Sequence, residues 1–412
     1  MSLGHRISKY FLRLCYSHVV RTAFYEKPPK DQRCARQLKN VLVIRTDGLG
    51  DIVLDTALFR HIKRAFGGPR VVLITRQEWK DIFQACPYVD DVIPWNILAY
   101  ANSLRYRVKF IRSLRSREFD VAVHPVYSRE PLSDEVLCCT RAPLKIGFDG
   151  DLSNIQAKRK RQNDRCYARF IRNKVAGCTE LERNRHFAEQ LIDREIRSDE
   201  FQPELWLTDA DRSAAEDLLL QSGIDVGRAA LIALFPGASS TYKTWRPENY
   251  ADLACRMLQH FDLRFVIFGT SAEADLASAI AGKINGPVVN LAGKTSLTQL
   301  AAVLECSDLF IGNDTGPLHV AAAVGAPTLG IMGGGHFGRF YPYGDLNRHR
   351  MVFKKMDCYG CNWKCIYETT RCIQGITVDD VWREAQRMME EVVLPSRAAR
   401  DAKRQGKMVL ST

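Results

Sequence analysis

Short, continuous apolar runs alternate with helix-like segments along most of the chain, and this alternation limits the possible folds more than any other feature. Apolar runs of four to six residues suit strands that are buried on both faces of a parallel sheet. In the first half the pattern predicts strands at 41–45, 71–75, 91–94 and 119–124, and helices near 51–66, 77–85, 100–117 and 130–139.

A second series of the same kind starts at residue 230. It predicts strands at 230–235, 263–268, 287–291, 308–311 and 326–331, and helices at 247–260, 272–284, 296–305 and 316–324. Between the two series, residues 208–228 resemble a capped helix followed by a hinge. We therefore predict an α/β fold with two Rossmann-like parallel-sheet domains, whose loops at the carboxyl ends of the strands face a cleft.

Composition is that of a cytoplasmic protein. The chain has 412 residues, of which 46% are hydrophobic and 9% aromatic, enough for two cores. No apolar run approaches a membrane span, and the N-terminus lacks the pattern of a secretory signal. The thirteen cysteines are odd in number and scattered, which suits a reducing compartment.

The net charge of +12, from 59 basic and 47 acidic residues, is concentrated in three segments. Residues 1–37 predict a weakly amphipathic basic helix that ends near Pro28 and Pro29. Residues 104–117 predict a basic helix that is either a solvated face or a binding surface. The third segment, Lys158–Arg185, has the highest density of basic residues, and we interpret it as a surface for an anionic partner. Its core is Lys158, Arg159, Lys160 and Arg161.

No nucleic-acid-binding signature accompanies this charge, so we expect no nucleic-acid partner. An anionic lipid headgroup or a phosphorylated glycan fits better.

The segment Gly312–Ala323 has the order strand, tight loop, short helix. Thr315 is placed to cap the helix, and Gly316 allows a ligand to approach the backbone N–H groups of the first turn. His319 returns to the same face of the helix and is a candidate hydrogen-bond donor to a phosphate. The segment therefore predicts an anion site.

A similar turn, Thr46–Asp51, follows the first predicted strand. A dinucleotide fingerprint would need a third glycine at position 53, where the chain has Val53, so a nicotinamide cofactor is disfavoured. The distinctive residue is Asp51, a carboxylate placed to act as a base toward a substrate hydroxyl.

The loop after the strand at 230–235 contains Ser239, Ser240 and Lys243, which are candidate phosphate ligands. The alternative is that Thr244 or Arg246 only begins the next helix and that Lys243 is solvated. Glu273 in the following loop is either a ligand or a first-turn acid favoured by the helix dipole.

Four motifs follow one another along the chain: Val43-Ile44-Arg45 with Gly50-Asp51, Pro236-Gly237-Ala238 with Lys243-Thr244-Trp245, Leu291–Leu297, and Asn313–His319. These motifs and their order resemble glycosyltransferase family 9, the lipopolysaccharide heptosyltransferases. The resemblance covers about residues 38–390. It implies the GT-B fold and an inverting, metal-independent transfer from a nucleotide sugar, typically ADP-heptose, to the lipid A inner core.

The resemblance also implies roles for particular residues. Asp51 matches the proposed general base, and Lys243 the lysine that neutralises the donor diphosphate. Asp314 matches an acid that contacts sugar hydroxyls, and Glu273 a donor-binding acid. The phosphate-holding loop and helix match Thr315, Gly316 and His319. A helix cap for Asp51 and a turn acid for Asp314 remain the structural alternatives.

The chain departs from the family pattern at its long N-terminal extension, at the dense basic segment and at a cysteine cluster. The cluster has the spacing C-x2-C-x3-C-x6-C, which suits either a structural zinc or free or locally paired thiols. Its members are Cys358, Cys361, Cys365 and Cys372.

Together these observations predict a GT-B enzyme at the cytoplasmic face of the inner membrane, peripherally bound, with an anionic glycolipid acceptor and no cofactor besides the nucleotide-sugar donor. Transfer of another sugar, or a nucleotide-sugar-binding scaffold without activity, are the alternatives. The predicted ranges are 1–37 for the basic extension, 38–207 for the acceptor domain, 208–228 for the hinge, 229–385 for the donor domain and 386–412 for the tail.

Overall fold

Each half of the chain folds around its own six-stranded parallel sheet in the computed structural model, which describes residues 3–27, 38–173 and 177–409. The chain groups into two units. The first holds the described parts of Met1–Gly48, Asp55–Cys178 and Glu182–Phe201. The second holds those of Leu49–Leu54, Thr179–Leu181 and Gln202–Thr412. The short segment Leu49–Leu54 therefore packs with the second unit, although its neighbours in sequence belong to the first.

The first sheet has the strand order β3-β2-β1-β4-β5-β6, with all neighbours parallel. This is the doubly wound order: successive strands are added on one side of β1 up to β3, and on its other side from β4 onward. The point of reversal therefore lies between β1 and β4. Its strands are β1 Asn40–Ile44, β2 Arg70–Arg76, β3 Asp91–Trp95, β4 Val121–His124, β5 Leu144–Phe148 and β6 Arg169–Ile171.

The second sheet has the order β12-β11-β10-β7-β8-β9, again all parallel. Counted from its own first strand this is the same doubly wound order, with the reversal between β7 and β10. Its strands are β7 Ala230–Phe235, β8 Leu263–Ile267, β9 Val288–Asn290, β10 Leu309–Asn313, β11 Thr328–Met332 and β12 His349–Phe353.

Helices connect the strands. In the first half they are α1 Leu3–Phe24, α2 Leu49–Leu54, α3 Thr56–Ala65, α4 Ile97–Asn102, α5 Leu104–Arg115, α6 Pro131–Cys138, α7 Ala157–Asp164 and α8 Glu180–Ile192. In the second half they are α9 Asp209–Gln221, α10 Pro247–Leu258, α11 Ala274–Ala281, α12 Leu297–Cys306, α13 Gly316–Ala323, α14 Arg371–Gln374, α15 Val378–Met388 and α16 Leu394–Val409, with a π-helical turn Met389–Val393 between the last two.

All nine predicted strands are confirmed, and most of them consist of side chains that the sheets bury, with β3 and β9 only partly buried. β7 and β10, for example, are buried at every position. Two predicted helices are broken: residues 51–66 form α2 and α3 on either side of Asp55, and 100–117 is interrupted at Ser103, whose side chain caps α5 by accepting from the N–H of Tyr106 at 3.2 Å. The predicted helix at 77–85 is a 3-10 helix, Gln77–Phe83.

The helix predicted in the N-terminal extension is present as α1 and ends at Phe24, whereas the predicted end near Pro28–Pro29 lies outside the described residues. Val20 of α1 is fully buried in the first core. None of the described helices combines the length and the apolar character that crossing a membrane requires. The predicted domain ranges stay predictions.

Candidate functional site

The reversal point of the second sheet brings the two predicted phosphate loops together. Asn313, the fully buried last residue of β10, donates from Nδ2 to the carbonyls of Pro236 at 2.8 Å and Gly237 at 3.3 Å. Its Oδ1 accepts from the N–H of Trp245 at 3.0 Å. One amide side chain thus joins the loop after β7 to the loop after β10, at the carboxyl ends of neighbouring strands, where doubly wound sheets bind ligands.

The first turn of α13 lacks the predicted side-chain cap. Thr315 occupies the cap position, but its hydroxyl is oriented toward the Asn313 carbonyl, 3.4 Å away, and makes no hydrogen bond to the helix. The prediction that Thr315 caps α13 is therefore wrong. Within the described residues the N–H of Gly316 also has no acceptor. An uncapped helix start offers N–H groups and a positive dipole end to an anion.

Asp314 lies between these two loops. It is 3% exposed, and its carboxylate makes no hydrogen bond or ion pair with any described residue. Its oxygens are not among the fully buried polar atoms without a partner, so they remain accessible from solvent. An acceptor group without a protein partner, kept beside an uncapped helix, is a feature of a binding site and not of a structural core.

His319 is buried and packs face to face on Tyr343, with ring centroids 5.7 Å apart and an interplanar angle of 5°. Its Nδ1 is 3.1 Å from the Tyr343 hydroxyl. Burial lowers the pKa of His319 to about 4, with a smaller opposing influence of Asp314 and a further lowering by Lys243. The imidazole is therefore neutral near pH 7, and it can offer a phosphate a neutral N–H but no positive charge.

Lys243 supplies the positive charge. It is half-buried at the end of a 3-10 turn, Thr241–Lys243, and its Nζ lies 5.1 Å from the centroid of the Trp363 ring. A cation held on an aromatic face has a restricted position. The alternative of a freely solvated Lys243 does not match this geometry. Ser239 is exposed in the same loop, and Ser240 caps the turn by accepting from the N–H of Tyr242 at 3.3 Å.

Sequence reasoning missed the loop that follows β11. A β-carbon on Gly333 would lie 2.7 Å from the Trp363 ring, so the glycines here allow the indole to sit against the backbone. Trp363 also donates from Nε1 to Nδ1 of His336 at 3.3 Å. Burial lowers the pKa of His336. The run Gly333-Gly334-Gly335 directly after an apolar strand was the signal in the sequence.

Glu273 has a local structural role. Its Oε2 accepts from the N–H of Thr270 at 2.7 Å and from the Thr270 hydroxyl at 2.9 Å, which completes a capping box. Its other oxygen lies against Gly237, where a β-carbon would collide with it. The carboxylate thus joins the loops after β8 and β7, and its Oε1 borders the same loop as Lys243.

Asp51 lies in the first turn of α2, which packs on the first turn of α13. A β-carbon on Gly50 would lie 2.7 Å from Cδ2 of His319, and one on Gly316 would lie 2.8 Å from Cβ of Leu49. Glycine at both positions is what allows this approach of the two helix starts. The two loops singled out in the sequence, far apart along the chain, are thus neighbours within the second unit.

In the first unit, the carboxyl end of β1 carries a buried charge cluster that the sequence did not reveal. The fully buried Arg45 pairs with Asp47 at 3.1 Å and lies 3.9 Å from Asp55. Its guanidinium donates to the carbonyl of Pro125, which links the ends of β1 and β4. Burial, reinforced by the charge of Asp47, raises the pKa of Glu130. This cluster organises the reversal point of the first sheet.

Of the four basic residues predicted to bind an acceptor, two form ion pairs with described residues of the protein and two do not. Arg159 pairs with the buried Glu135 at 2.8 Å, and Lys160 pairs with Asp164 at 3.2 Å. Lys158 and Arg161 are exposed, and neither makes an ion pair with a described residue. Only these two remain available to an anionic partner.

All described cysteines are free thiols, and Cys358, Cys361, Cys365 and Cys372 belong to them. Among the described residues, no group of three or more His, Cys, Asp or Glu side chains is placed to hold a metal ion. As placed here, the four cysteines do not form the tetrahedral set that zinc requires.

All eight residues predicted for the donor and the base therefore belong to the second unit. Lys158–Arg161 belong to the first unit. The members of the first group are Asp51, Ser239, Lys243, Glu273, Asp314, Thr315, Gly316 and His319.

Comparisons with known proteins agree with this arrangement. Residues 107–365 match the model of Glycosyltransferase family 9 (heptosyltransferase). The chain is 24% identical over 323 residues to the lipopolysaccharide core heptosyltransferase OpsX of Haemophilus influenzae, covering 77% of this chain and 85% of that protein.

Two solved structures share the fold. E. coli ADP-heptose lps heptosyltransferase II superposes with a TM-score of 0.67 at 20% identity, over 86% of this chain and 100% of that one. E. coli heptosyltransferase WaaC with ADP-2-deoxy-2-fluoro heptose gives 0.61 at 19% identity, over 84% and 99%. The predicted two-domain α/β fold of the GT-B type is confirmed.

Proposed function

Since the chain belongs to glycosyltransferase family 9, the heptosyltransferases, we propose that this glycosyltransferase moves a heptose from an ADP-sugar to the inner core of a lipopolysaccharide or a similar glycolipid. The relatives that support the donor and the acceptor are a lipopolysaccharide core heptosyltransferase and an ADP-heptose heptosyltransferase.

One observation carries the proposal: the helix start with Asp51 packs directly on the helix start that forms the predicted phosphate site, through Gly50 and His319 on one side and Leu49 and Gly316 on the other. A base and an anion site must be close for a single displacement, because the attacking hydroxyl and the leaving diphosphate are bound to the same carbon in the transition state.

In the proposed reaction the carboxylate of Asp51 takes the proton of the acceptor hydroxyl. The hydroxyl oxygen forms a bond to the anomeric carbon of the heptose from the face opposite the diphosphate. The bond between that carbon and the diphosphate oxygen breaks, and its electron pair leaves with ADP. One such displacement inverts the anomeric centre, so the enzyme is expected to be inverting.

The leaving diphosphate needs positive charge, and the chain offers it in two forms. Lys243, held on Trp363, contributes a full charge. The uncapped start of α13 at Thr315 and Gly316 contributes N–H groups and the positive end of the helix dipole. We propose that His319 adds a neutral hydrogen bond, and that these groups neutralise the diphosphate without a metal ion.

Three further residues are proposed to hold the donor. The unpaired carboxylate of Asp314 accepts hydrogen bonds from sugar hydroxyls, and Glu273 and Ser239 complete the donor site from the loops after β8 and β7. We propose that residues 38–207 bind the acceptor and 229–385 the donor, with 208–228 as the hinge. The proposed location is the cytoplasmic face of the inner membrane, where a glycolipid acceptor is accessible.

The test is release of ADP by the purified full chain with ADP-heptose, measured with and without heptose-deficient lipopolysaccharide core, beside a panel of other nucleotide sugars. Acceptor-dependent release from ADP-heptose that persists in EDTA, with a product of inverted anomeric configuration by NMR, is expected. Release from another donor alone would replace the proposed sugar, and release that needs a divalent ion would overturn the metal-independent mechanism.

Asp51→Asn is expected to lower kcat by about 10²- to 10⁴-fold, the usual contribution of a general base, with little change in ADP affinity. The matched control is Asp275→Asn, which removes another first-turn acid, at the start of α11. If both variants retain full kcat, Asp51 is not the base.

A further inference from the structure

Helix α1 is fixed to the first unit along one side. Arg107 donates from Nη1 to the Ser17 hydroxyl at 3.0 Å, and Val20 is fully buried. At the middle of the helix, Arg13 donates to Oδ1 of Asn102 on α4 at 2.8 Å. These contacts all come from one face of the helix and dock α1 on the first unit, which fixes the orientation of its exposed sides.

An apolar stripe runs along the side of α1 about a quarter turn from its docked face, with Tyr16 half-buried and its other members exposed. Leu12, Tyr16, Val19 and Ala23 follow one another at the spacing i, i+4, i+7 and i+11, which places them on one face of a helix. Leu12 is 45% exposed and Val19 is 44% exposed. Leu98 of α4 is 69% exposed, and its carbonyl accepts from the same Asn102 side chain that holds Arg13. Large apolar side chains are therefore exposed together here.

A basic stripe runs along the exposed face of α5. Arg105, Lys109, Arg112 and Ser116 have the same i, i+4, i+7 and i+11 spacing and are all exposed, whereas Ile111 and Leu114 face the core. None of these three cations forms an ion pair with a residue that the structure describes, and the same holds for the exposed Arg141.

The two stripes meet at one pocket. Its volume is about 420 Å³. The apolar stripe contributes its last residue, Ala23, to the wall, and the basic stripe contributes Arg112 and Ser116. The remaining lining residues are Phe24, Arg115 and Arg141. Arg115 is already paired with Glu26 at 2.5 Å and donates to two carbonyls. Arg112 and Arg141 are therefore the cations that the pocket offers to a ligand.

We propose that this surface, the apolar stripe of α1 with Leu98 and the basic stripe of α5 with Arg141, docks the protein on a bilayer that contains anionic phospholipid. Exposed leucines gain free energy in the acyl region of a membrane, and unpaired arginines gain it at the phosphates of the headgroups. Nucleic acid would use the cations but leave the leucines in water. The pocket lined by Arg112 and Arg141 is suited to one headgroup phosphate.

The biological purpose of this docking rests on the proposed function, because an enzyme with a glycolipid acceptor needs to be held at the membrane that contains it. The docking itself is independent of chemistry. Lys158 and Arg161 on α7 are not members of this surface, although α7 contacts the end of α1 through Gln162 and Arg21.

The test is co-sedimentation of the full chain with vesicles of phosphatidylcholine alone or mixed with phosphatidylglycerol. Binding is expected only to the anionic vesicles.

Arg112→Gln with Arg141→Gln should weaken this binding about 30-fold, because each Lys or Arg at an anionic surface contributes about fivefold. Leu12→Ser with Val19→Ser should remove the part of the binding that resists salt. The control, Arg228→Gln with Lys283→Gln, removes the same charge from exposed positions of the second unit.

Equal weakening by the control pair would show that only net charge matters and would overturn the assignment of the surface. Absence of binding by the unmodified chain would overturn the docking itself. A dimer that Leu12→Ser with Val19→Ser converts to a monomer would show that a second copy covers the stripe. Transfer to a delipidated core oligosaccharide is measured in parallel: its absence with intact vesicle binding contradicts the proposed function, and its presence without vesicle binding contradicts only this inference.

Discussion

The imidazole of His319 lies against Gly50 so closely that a β-carbon on the glycine would fall 2.7 Å from Cδ2 and 3.2 Å from Nε2 of the ring. The other ring nitrogen, Nδ1, is next to the Tyr343 hydroxyl at 3.1 Å. His319 therefore acts first as a packing element that sets the distance between α2 and α13, and with it the position of Asp51 relative to the uncapped helix start.

Gly50→Ala is expected to be harmful, because the added methyl group must displace the buried ring or separate the two helices. Overpacking of this kind costs about 1–3 kcal/mol. We expect a lower midpoint of urea unfolding and a fall in kcat/KM. Gly282→Ala is the control, since a β-carbon there meets its nearest atom at an ordinary 3.4 Å. Equal behaviour of the two variants would show that the contact between Gly50 and His319 does not constrain the site.

Asp308 and Asp314 flank β10 and are both buried, 4% and 3% exposed, but their surroundings differ. Asp308 pairs with Arg397 at 2.8 Å and with Arg400, and accepts from the N–H of Leu231 at 2.9 Å. Asp314 has no such partner among the described residues. Asp308→Asn should lower the free energy of unfolding by about 1–3 kcal/mol, because it removes a buried carboxylate that accepts from two arginines and a backbone N–H.

Asp314→Asn should leave the free energy of unfolding unchanged or raise it, and should lower kcat/KM for the donor by about 10²-fold or more as contacts to the sugar are lost. Chemical denaturation and donor kinetics of the two variants, measured side by side, separate the structural from the functional aspartate. A strongly destabilised Asp314→Asn with normal kinetics would reverse the assignment.

The stability of the chain should fall as the pH is lowered from about 6.5 to 4. An unfolded histidine binds a proton near its ordinary pKa of 6.5, whereas burial lowers the pKa of His319 to about 4, so protons in this window favour the unfolded state. His319 alone accounts for about 3 kcal/mol across the window. Burial also lowers the pKa of His349 to about 4, with the same sign.

His319→Gln should therefore flatten part of the pH dependence and leave the part due to His349. The measurement is the free energy of unfolding by urea at several pH values between 7.5 and 4.5 for both chains. Parallel curves would show that His319 is not buried as a neutral group.

Trp363 is expected to act on the donor through Lys243. Trp363→Leu removes the aromatic face under the ammonium group, an interaction worth about 0.5–2 kcal/mol, and should raise the donor KM about two- to thirtyfold. In Lys243→Ala the same change should have little further effect, so the double variant tests the coupling. Additive effects in the double-mutant cycle would mean that Trp363 does not position Lys243.

Among the four basic residues of α7, Lys158 and Arg161 are the ones expected to meet the acceptor. Lys158→Gln with Arg161→Gln should raise the KM for the acceptor several-fold and leave the KM for ADP-heptose unchanged. Arg159→Gln is the contrast, because it removes one of the two arginines that pair with the buried Glu135, the other being Arg107, and should lower stability instead. Unchanged acceptor kinetics in the double variant would remove the proposal for this segment.

The sequence alone predicted nine of the twelve strands in the described residues, because runs such as 41–44, 230–235 and 309–311 are continuously apolar or nearly so. It missed β5, β6 and β12. β6 has only three residues, and β5 and β12 contain Lys145 and Arg350 within their runs, so a local hydrophobic pattern does not mark them. The motifs at the strand ends also sufficed to indicate the family.

Only the tertiary structure decided the state of the individual side chains. The sequence could not show that Thr315 leaves α13 uncapped, that Arg159 is occupied by Glu135, or that His319 is neutral. It also could not show that α2, which follows β1 of the first sheet, packs on α13 and belongs to the second unit. The physical reason is that burial and pairing depend on groups distant in the chain, whereas spacing and hydropathy report only on neighbours. The sequence determined which elements form and where their loops lie, and long-range packing determined which of those loops meet and what charge each side chain carries there.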